Sequence, residues 1–190
     1  EAAETAVLLG RATRAFAGAI RSTLLGGEAP RPRPAPEVLA EARLEYVRYR
    51  HHFGKWSREG LLRGLGHLQR ALEIDPTFAY AYEGMAWSLA TLGYWGFMPI
   101  DEAYPKAKAA ALRALALDPD LSEAHVALAV ARWLHDWDVA GVEPEIARAL
   151  ELNPSYEFAH FLRGLFLATI ARDRAGAEAE VRAALEIDPL

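Results

Sequence analysis

The chain has no cysteine and only two methionines among its 190 residues. Without thiols there is no disulfide framework, no cysteine zinc site and no thiol catalysis. No stretch approaches the ~18 consecutive apolar residues of a membrane span. No alternating strand pattern stands out, so no glycine-rich phosphate loop can follow a strand. Serine and threonine are sparse, and no Ser/His/Asp set has the spacing of an activated nucleophile. Positive charge is not in surplus either: 21 Lys/Arg stand against 26 Asp/Glu, a net charge of −5, which argues against direct nucleic-acid binding. Lysine is scarce, three against 18 arginines, a usage that points to a GC-rich bacterial genome. What is abundant is alanine, 38 residues, within a composition that is 52% hydrophobic. Alanine is the strongest helix former, so the expectation is a helical protein with no membrane span.

The hexapeptide Ala-Leu-x-[Ile/Leu]-[Asp/Asn]-Pro occurs four times, at Ala71–Pro76, Ala114–Pro119, Ala149–Pro154 and Ala184–Pro189. Successive prolines are 43, 35 and 35 residues apart. Such a period is the mark of a helix-turn-helix repeat. The motif has a physical reading. Ala-Leu-x-Ile extends an amphipathic helix, and the residue before proline is then pushed out of the α region, so the helix stops.

Each stop is preceded by residues spaced four and then three apart: Gly64, Leu68, Ala71; Ala107, Ala111, Ala114; Val142, Ile146, Ala149; Ala177, Val181, Ala184. That spacing puts each triplet on one helix face, and the small members allow neighbouring helices to approach closely. A companion helix in each unit carries Tyr82-x2-Met85-Ala86-x2-Leu89, His125-x2-Leu128-Ala129 or His160-x2-Arg163-Gly164-x2-Leu167.

Together these patterns resemble the tetratricopeptide repeat (TPR), whose signature is W-x2-L-G-x2-Y, then A-x3-F, then P. The match covers roughly residues 37–190. The resemblance implies an all-α, right-handed α-solenoid of about four TPR helix pairs, at about 37–76, 77–119, 120–154 and 155–190. Arg132 and Arg163 depart from it, standing where the family has an aromatic and a leucine. Pro144 departs too, and is expected to delay or bend the second helix of the third repeat. Against the 34-residue unit of the family, the second repeat has nine extra residues, which fall around Tyr94–Ile100 and read as a loop between the paired helices. Gly54–Gly60 is its counterpart in the first repeat.

Residues 1–26 read as a separate amphipathic helix with a stripe of Leu9, Thr13, Phe16, Ile20 and Leu24, stopped by Gly26-Gly27. Residues 27–36, with proline at every second position from Pro30, read as an extended linker. The order of these parts is similar to the C-terminal TPR arrays of bacterial winged-helix regulators, adenylate-cyclase-like proteins and serine/threonine kinases with a TolB-like domain. That likeness implies the tail of a preceding domain in residues 1–26, a cytoplasmic setting and a role in signalling or transcription regulation.

Candidate chemistry is thin. His51 and His52 are adjacent, so on a helix they point about 100° apart and cannot converge on one ion. In His135-Asp136-Trp137-Asp138, Asp138 reads as the N-cap of the next helix and Trp137 as a packing residue. No catalytic residue, metal site or cofactor is assigned, and the chain is not read as an enzyme.

The binding expectation falls on the first helix of each pair, which lines the concave face in stacked repeats. The groove residues are Tyr46 and Arg50; Tyr80, Glu83 and Trp87; Val126, Val130 and Trp133; and Phe158, Phe161 and Leu165. Such an apolar trough suits a helix or extended segment of a protein or peptide partner. It lacks the lysines and asparagines with which some TPR domains grip a terminal carboxylate. The rival reading is a small-molecule sensor, with Trp87, Trp95 and Trp133 forming an aromatic pocket beside the Tyr94–Ile100 loop. Charge is also uneven: residues 1–70 hold 12 Lys/Arg and 7 Asp/Glu, residues 71–190 hold 9 and 19. This polarity, with apolar surface expected on the last helix, makes a homodimer a possible arrangement.

Overall fold

In the computed structural model of the chain, the described residues are 36–188. The helix expected over residues 1–26 lies outside them, as does the linker apart from Pro36. Eight helices follow one another among the described residues. They are α1 (Pro36–Phe53), α2 (Arg58–Ile74), α3 (Ala79–Tyr94), α4 (Ile100–Leu117), α5 (Ser122–Ala131), α6 (Val139–Leu152), α7 (Glu157–Phe166) and α8 (Arg174–Ile187). They pack as four antiparallel pairs, each docked on the next, into an all-α helical-repeat solenoid. Odd-numbered helices are the first of each pair and even-numbered helices the second.

The repeated hexapeptide works as expected, with one addition. Asp75, Asp118, Asn153 and Asp188 all take extended backbone before their prolines while still donating their N–H to the carbonyl four residues back. In the first three, the side chain then folds the turn. The N–H of Thr77 donates to Asp75 Oδ1 at 2.9 Å, that of Asp120 to Asp118 at 3.2 Å and that of Ser155 to Asn153 at 3.1 Å. The Asp/Asn of the motif is therefore an Asx turn that satisfies the next amide after the helix stops.

The corner inside each pair is also repeated. Trp56, Trp137 and Arg172 adopt left-handed backbone, and Gly96 does the same in the second pair. In three pairs the next residue caps the second helix. Ser57, Asp138 and Asp173 accept the N–H of Gly60, Gly141 and Gly176 at 3.0–3.1 Å. Glycine leaves room for the cap at these positions, and at Gly60 a Cβ would lie 2.7 Å from the His52 carbonyl oxygen. A Cβ on Gly141 or Gly176 would lie 2.3 Å from the capping carboxylate. In the third and fourth pairs the first helix widens by one π-type turn, Arg132–Asp136 and Leu167–Ala171, before the corner.

Three sequence expectations need correcting. Trp137 does not pack: it is 77% exposed. Pro144 does not delay its helix, which begins at Val139 and runs through it. A proline this near the helix start forfeits a single amide bond, and its ring faces only the carbonyl of the second helical residue. The insertion is not all loop either. Tyr94 closes α3 and Ile100 opens α4, and α4 has 18 residues where α6 has 14, so part of it is an extra helical turn.

The core runs along the inner faces of the pairs. Leu68, Ala71, Ala111, Ala114, Ile146 and Ala149 have no exposed surface. Fully burying a leucine or isoleucine here contributes about 1.5–3 kcal/mol. Gly84 marks a close approach between helices: a Cβ there would lie 2.7 Å from the Tyr49 ring and 3.1 Å from Leu68. Polar clamps tie the pairs as well. His125 Nδ1 meets Glu145 Oε2 at 2.6 Å, while its Nε2 reaches the Pro119 carbonyl at 3.1 Å. One repeat later His160 does the same with Glu180, at 2.6 Å, and the Pro154 carbonyl, at 3.0 Å. The first pair has the arrangement reversed, with Glu45 on the first helix and His67 on the second, 2.6 Å apart. The bond from His67, joined by Arg70 and Arg48, holds the Glu45 carboxyl below the usual range against the opposing effect of burial. Arg132 and Arg163 replace apolar family residues by pairing with Glu145 at 3.3 Å and with Glu143 and Glu180 at 3.0 and 3.2 Å.

Candidate functional site

Most of the positions named as a groove lie four, seven and eleven residues after a repeat's proline. Because these offsets fall on one helical face, the stripe Tyr80/Glu83/Trp87 has its equivalents in Glu123/Val126/Val130 and Phe158/Phe161/Leu165. Tyr46 and Arg50 hold the places of Glu83 and Trp87 in α1. The structure divides these residues into three environments.

The first is a polar and aromatic cluster between α1 and α3. Tyr46 is half-buried among the rings of Tyr49, Phe78 and Tyr80, with centroids 5.4, 5.7 and 6.1 Å away. Its hydroxyl donates to Glu83 Oε2 at 3.3 Å. Glu83 is only 7% exposed. Burial, aided by the negative charge of Glu123, pushes its carboxyl up to about 8, against the weaker opposing pull of the Tyr46 bond and Arg50. Glu83 is thus a neutral acid at pH 7, a hydrogen-bonding group inside the stack. Arg50 lies one turn further on, exposed.

The second environment is an aromatic bridge. Trp87 on α3 meets Phe158 on α7 edge to face, with centroids 5.1 Å apart, although a whole repeat lies between them in sequence. The bridge forms because α5 places the short side chains of Val126 and Val130 between the flanking helices. Phe158 continues to Phe161 at 5.9 Å. Phe161 and Leu165 are 47% and 42% exposed and line an open groove of about 780 Å³ between α7 and α8.

The third environment is the core. Val126 is completely buried, and Val130 and Trp133 are each 9% exposed, Trp133 packed on Phe166 at 5.6 Å. These three do not line a free surface. Successive first helices pack along this stripe, which encloses its middle members.

The aromatic-pocket reading is not supported by the placement of its tryptophans. Trp87 packs on Phe158, Trp133 on Phe166 and Trp95 on Tyr94, three separate contacts, and Trp95 is 58% exposed. Sequence reasoning misses two residues of the cluster. Tyr156 precedes α7 and is half-buried, its phenol pushed up by burial and then by Glu123 and Glu83. A signal for it exists: the position two after each proline is Phe78, Leu121 or Tyr156, always large. Glu123 has no such signal and reads as an ordinary solvated charge. Among the described residues no group of three or more His, Asp or Glu could hold a metal ion. None of their helices is long and apolar enough to cross a membrane.

No protein-family model matches the chain, and no curated protein matches it. Solved structures do. A mutant of the Thermobaculum terrenum O-GlcNAc transferase superposes with a TM-score of 0.65 at 20% identity over 83% of this chain. This chain spans only 28% of the transferase's length. A thermophilic TPR protein of Thermus thermophilus gives 0.58 at 21% identity, covering 76% of this chain and 75% of that one. MamA gives 0.50 at 17% identity, covering 78% and 74%. At such identities the likeness concerns the fold, that of a TPR-type solenoid.

Proposed function

We propose that this chain is a protein–protein interaction module that takes a protein or peptide segment along the first-helix face, without catalysing a reaction. The observation that supports this most is the Trp87–Phe158–Phe161 aromatic run, which reaches from the second repeat to the fourth, with Tyr46, Tyr80 and exposed Arg50 at its other end. Tryptophan, tyrosine and arginine dominate binding energy at interfaces: the two aromatics bury large areas with few torsions to freeze, and arginine brings a planar fork of five donors. The motif order supports a finer reading, in which the module is the docking or sensory part of a bacterial signalling or transcription regulator acting in the cytoplasm.

The test uses the purified chain as bait for the partner in the source bacterium, followed by calorimetry with the isolated partner. Arg50→Glu and Phe158→Ala together are expected to weaken binding about thirtyfold or more, the loss of at least one hot spot. Far-UV circular dichroism should stay unchanged. Affinity within about twofold of the parent would remove this face from the account.

A further inference from the structure

We infer that the corner edge of the solenoid is a peripheral membrane anchor, which lays the rings of Trp56, Tyr94, Trp95, Phe97 and Trp137 into the headgroup region of a zwitterionic lipid bilayer. This surface is separate from the aromatic run of the first helices, and the inference stands or falls without it.

The distribution of exposed rings carries the argument. Among the described residues six Phe, Tyr or Trp side chains are exposed. Five of them lie at the corners inside the first three pairs, and the sixth is Phe161. On the opposite edge, in the turns between pairs, Phe78 and Tyr156 are half-buried. Equivalent corners of stacked pairs follow one another along a single edge. His135 of the third corner lies 4.0 Å from Asp101 beside the second, and its ring stacks on Tyr104 at 6.3 Å.

Two of the rings are presented at an energetic cost. Trp56 and Trp137 stand at the same place, directly before the capping residues Ser57 and Asp138, with φ of 46° and 55°. Left-handed backbone is unfavourable for a bulky residue and easy for glycine, which adopts it at the second corner as Gly96. Little burial is gained in return. Trp56 touches Phe53 and is still 62% exposed, and Trp137 is more exposed again. Strained backbone and a wet indole both lower stability, and the combination occurs in two repeats. Strain held in place by its surroundings is a mark of a functional position.

Exposure and charge decide the occupant. A hot spot between proteins encloses its aromatic anchor in a fitted pocket. Rings standing this far out of their turns need a surface that yields around them, as a bilayer interface does. Tryptophan and tyrosine favour that interface because an apolar ring carries one polar atom. Residues 54–60 and 170–175 each hold two basic side chains and one acidic, and residues 94–102 and 134–141 hold two acidic each. Zwitterionic headgroups answer both signs, their phosphates meeting the basic corners and their amines the acidic ones.

Flotation of the full chain with phosphatidylcholine vesicles tests this, read beside tryptophan fluorescence. The chain is expected to float with the vesicles. Emission should shift to the blue as Trp56, Trp95 and Trp137 leave water, since Trp87 and Trp133 are already packed on Phe158 and Phe166. Trp56→Gly with Trp137→Gly should weaken partitioning about tenfold or more without lowering the melting temperature, because glycine relieves the left-handed backbone. If melts show that variant unfolded, Tyr94→Ser with Trp95→Ser replaces it, with the same expected loss. A parent chain that stays out of the floating fraction overturns the proposal, and so does a folded variant that partitions within about twofold of the parent. Binding that requires phosphatidylglycerol and vanishes at high salt overturns it too, since that is adsorption by the basic corners alone.

Discussion

Glu83→Gln isolates the buried acid of the α1–α3 cluster. In the unfolded chain this carboxyl titrates near its ordinary 4.5, and in the fold near about 8. Between those values the folded state holds a proton that the unfolded state has released, so stability falls as pH rises through this window. At 1.36 kcal/mol per pH unit, Glu83 alone removes about 2–3 kcal/mol between about pH 6 and about pH 8, and about 5 kcal/mol across the whole window. Glutamine keeps the shape and the acceptor for Tyr46 but cannot ionise. Tyr46, Tyr49 and Tyr156 face the same space with phenols pushed up by burial, so they do not titrate here. Arg50 stays charged throughout. Urea unfolding of parent and variant should therefore give curves that converge at about pH 5 and diverge as pH rises, the variant being the more stable. A constant difference between about pH 6 and about pH 8 would refute the reasoning, since it would mean that Glu83 ionises in the fold as it does in water.

Other outcomes follow from the packing. Glu45→His and His67→Glu should each cost about 1–3 kcal/mol in chemical denaturation, and the double swap should recover most of it, because the third and fourth pairs already carry the clamp in that orientation. Gly84→Ala should destabilise by about 1–3 kcal/mol in the same assay, since its methyl would press on the Tyr49 ring. Arg172→Gly should raise stability by about 0.5–1 kcal/mol in thermal melts, by relieving left-handed backbone at a helix end where glycine is preferred.

The repeat architecture is legible in the sequence because its signal is covalent and local. A proline that stops a helix, and small residues at four-and-three spacing, act the same way in every unit. The docking face is less legible. Glu83, Val126 and Phe161 are equivalent in register, yet one is a buried neutral acid, one is core and one is half-exposed. What decides is the neighbour: the short side chains of α5 let Trp87 reach Phe158, and no single helix pattern records that contact. Trp137 misleads because an apolar side chain is expected to pack, although its corner needs left-handed backbone that turns the ring to solvent. The glycine-capped corners are readable. Ser57-x2-Gly60, Asp138-x2-Gly141 and Asp173-x2-Gly176 share one spacing, although the sequence reading singles out only Asp138 as a cap.

The most direct measurement of where a partner sits is amide hydrogen exchange on the full chain, with and without the bound partner. Protection is expected on the first helices, concentrated in residues 43–50, 80–87 and 156–161, with the second helices little changed. Protection confined to the second helices, or spread evenly over all eight, would contradict docking along the first-helix face.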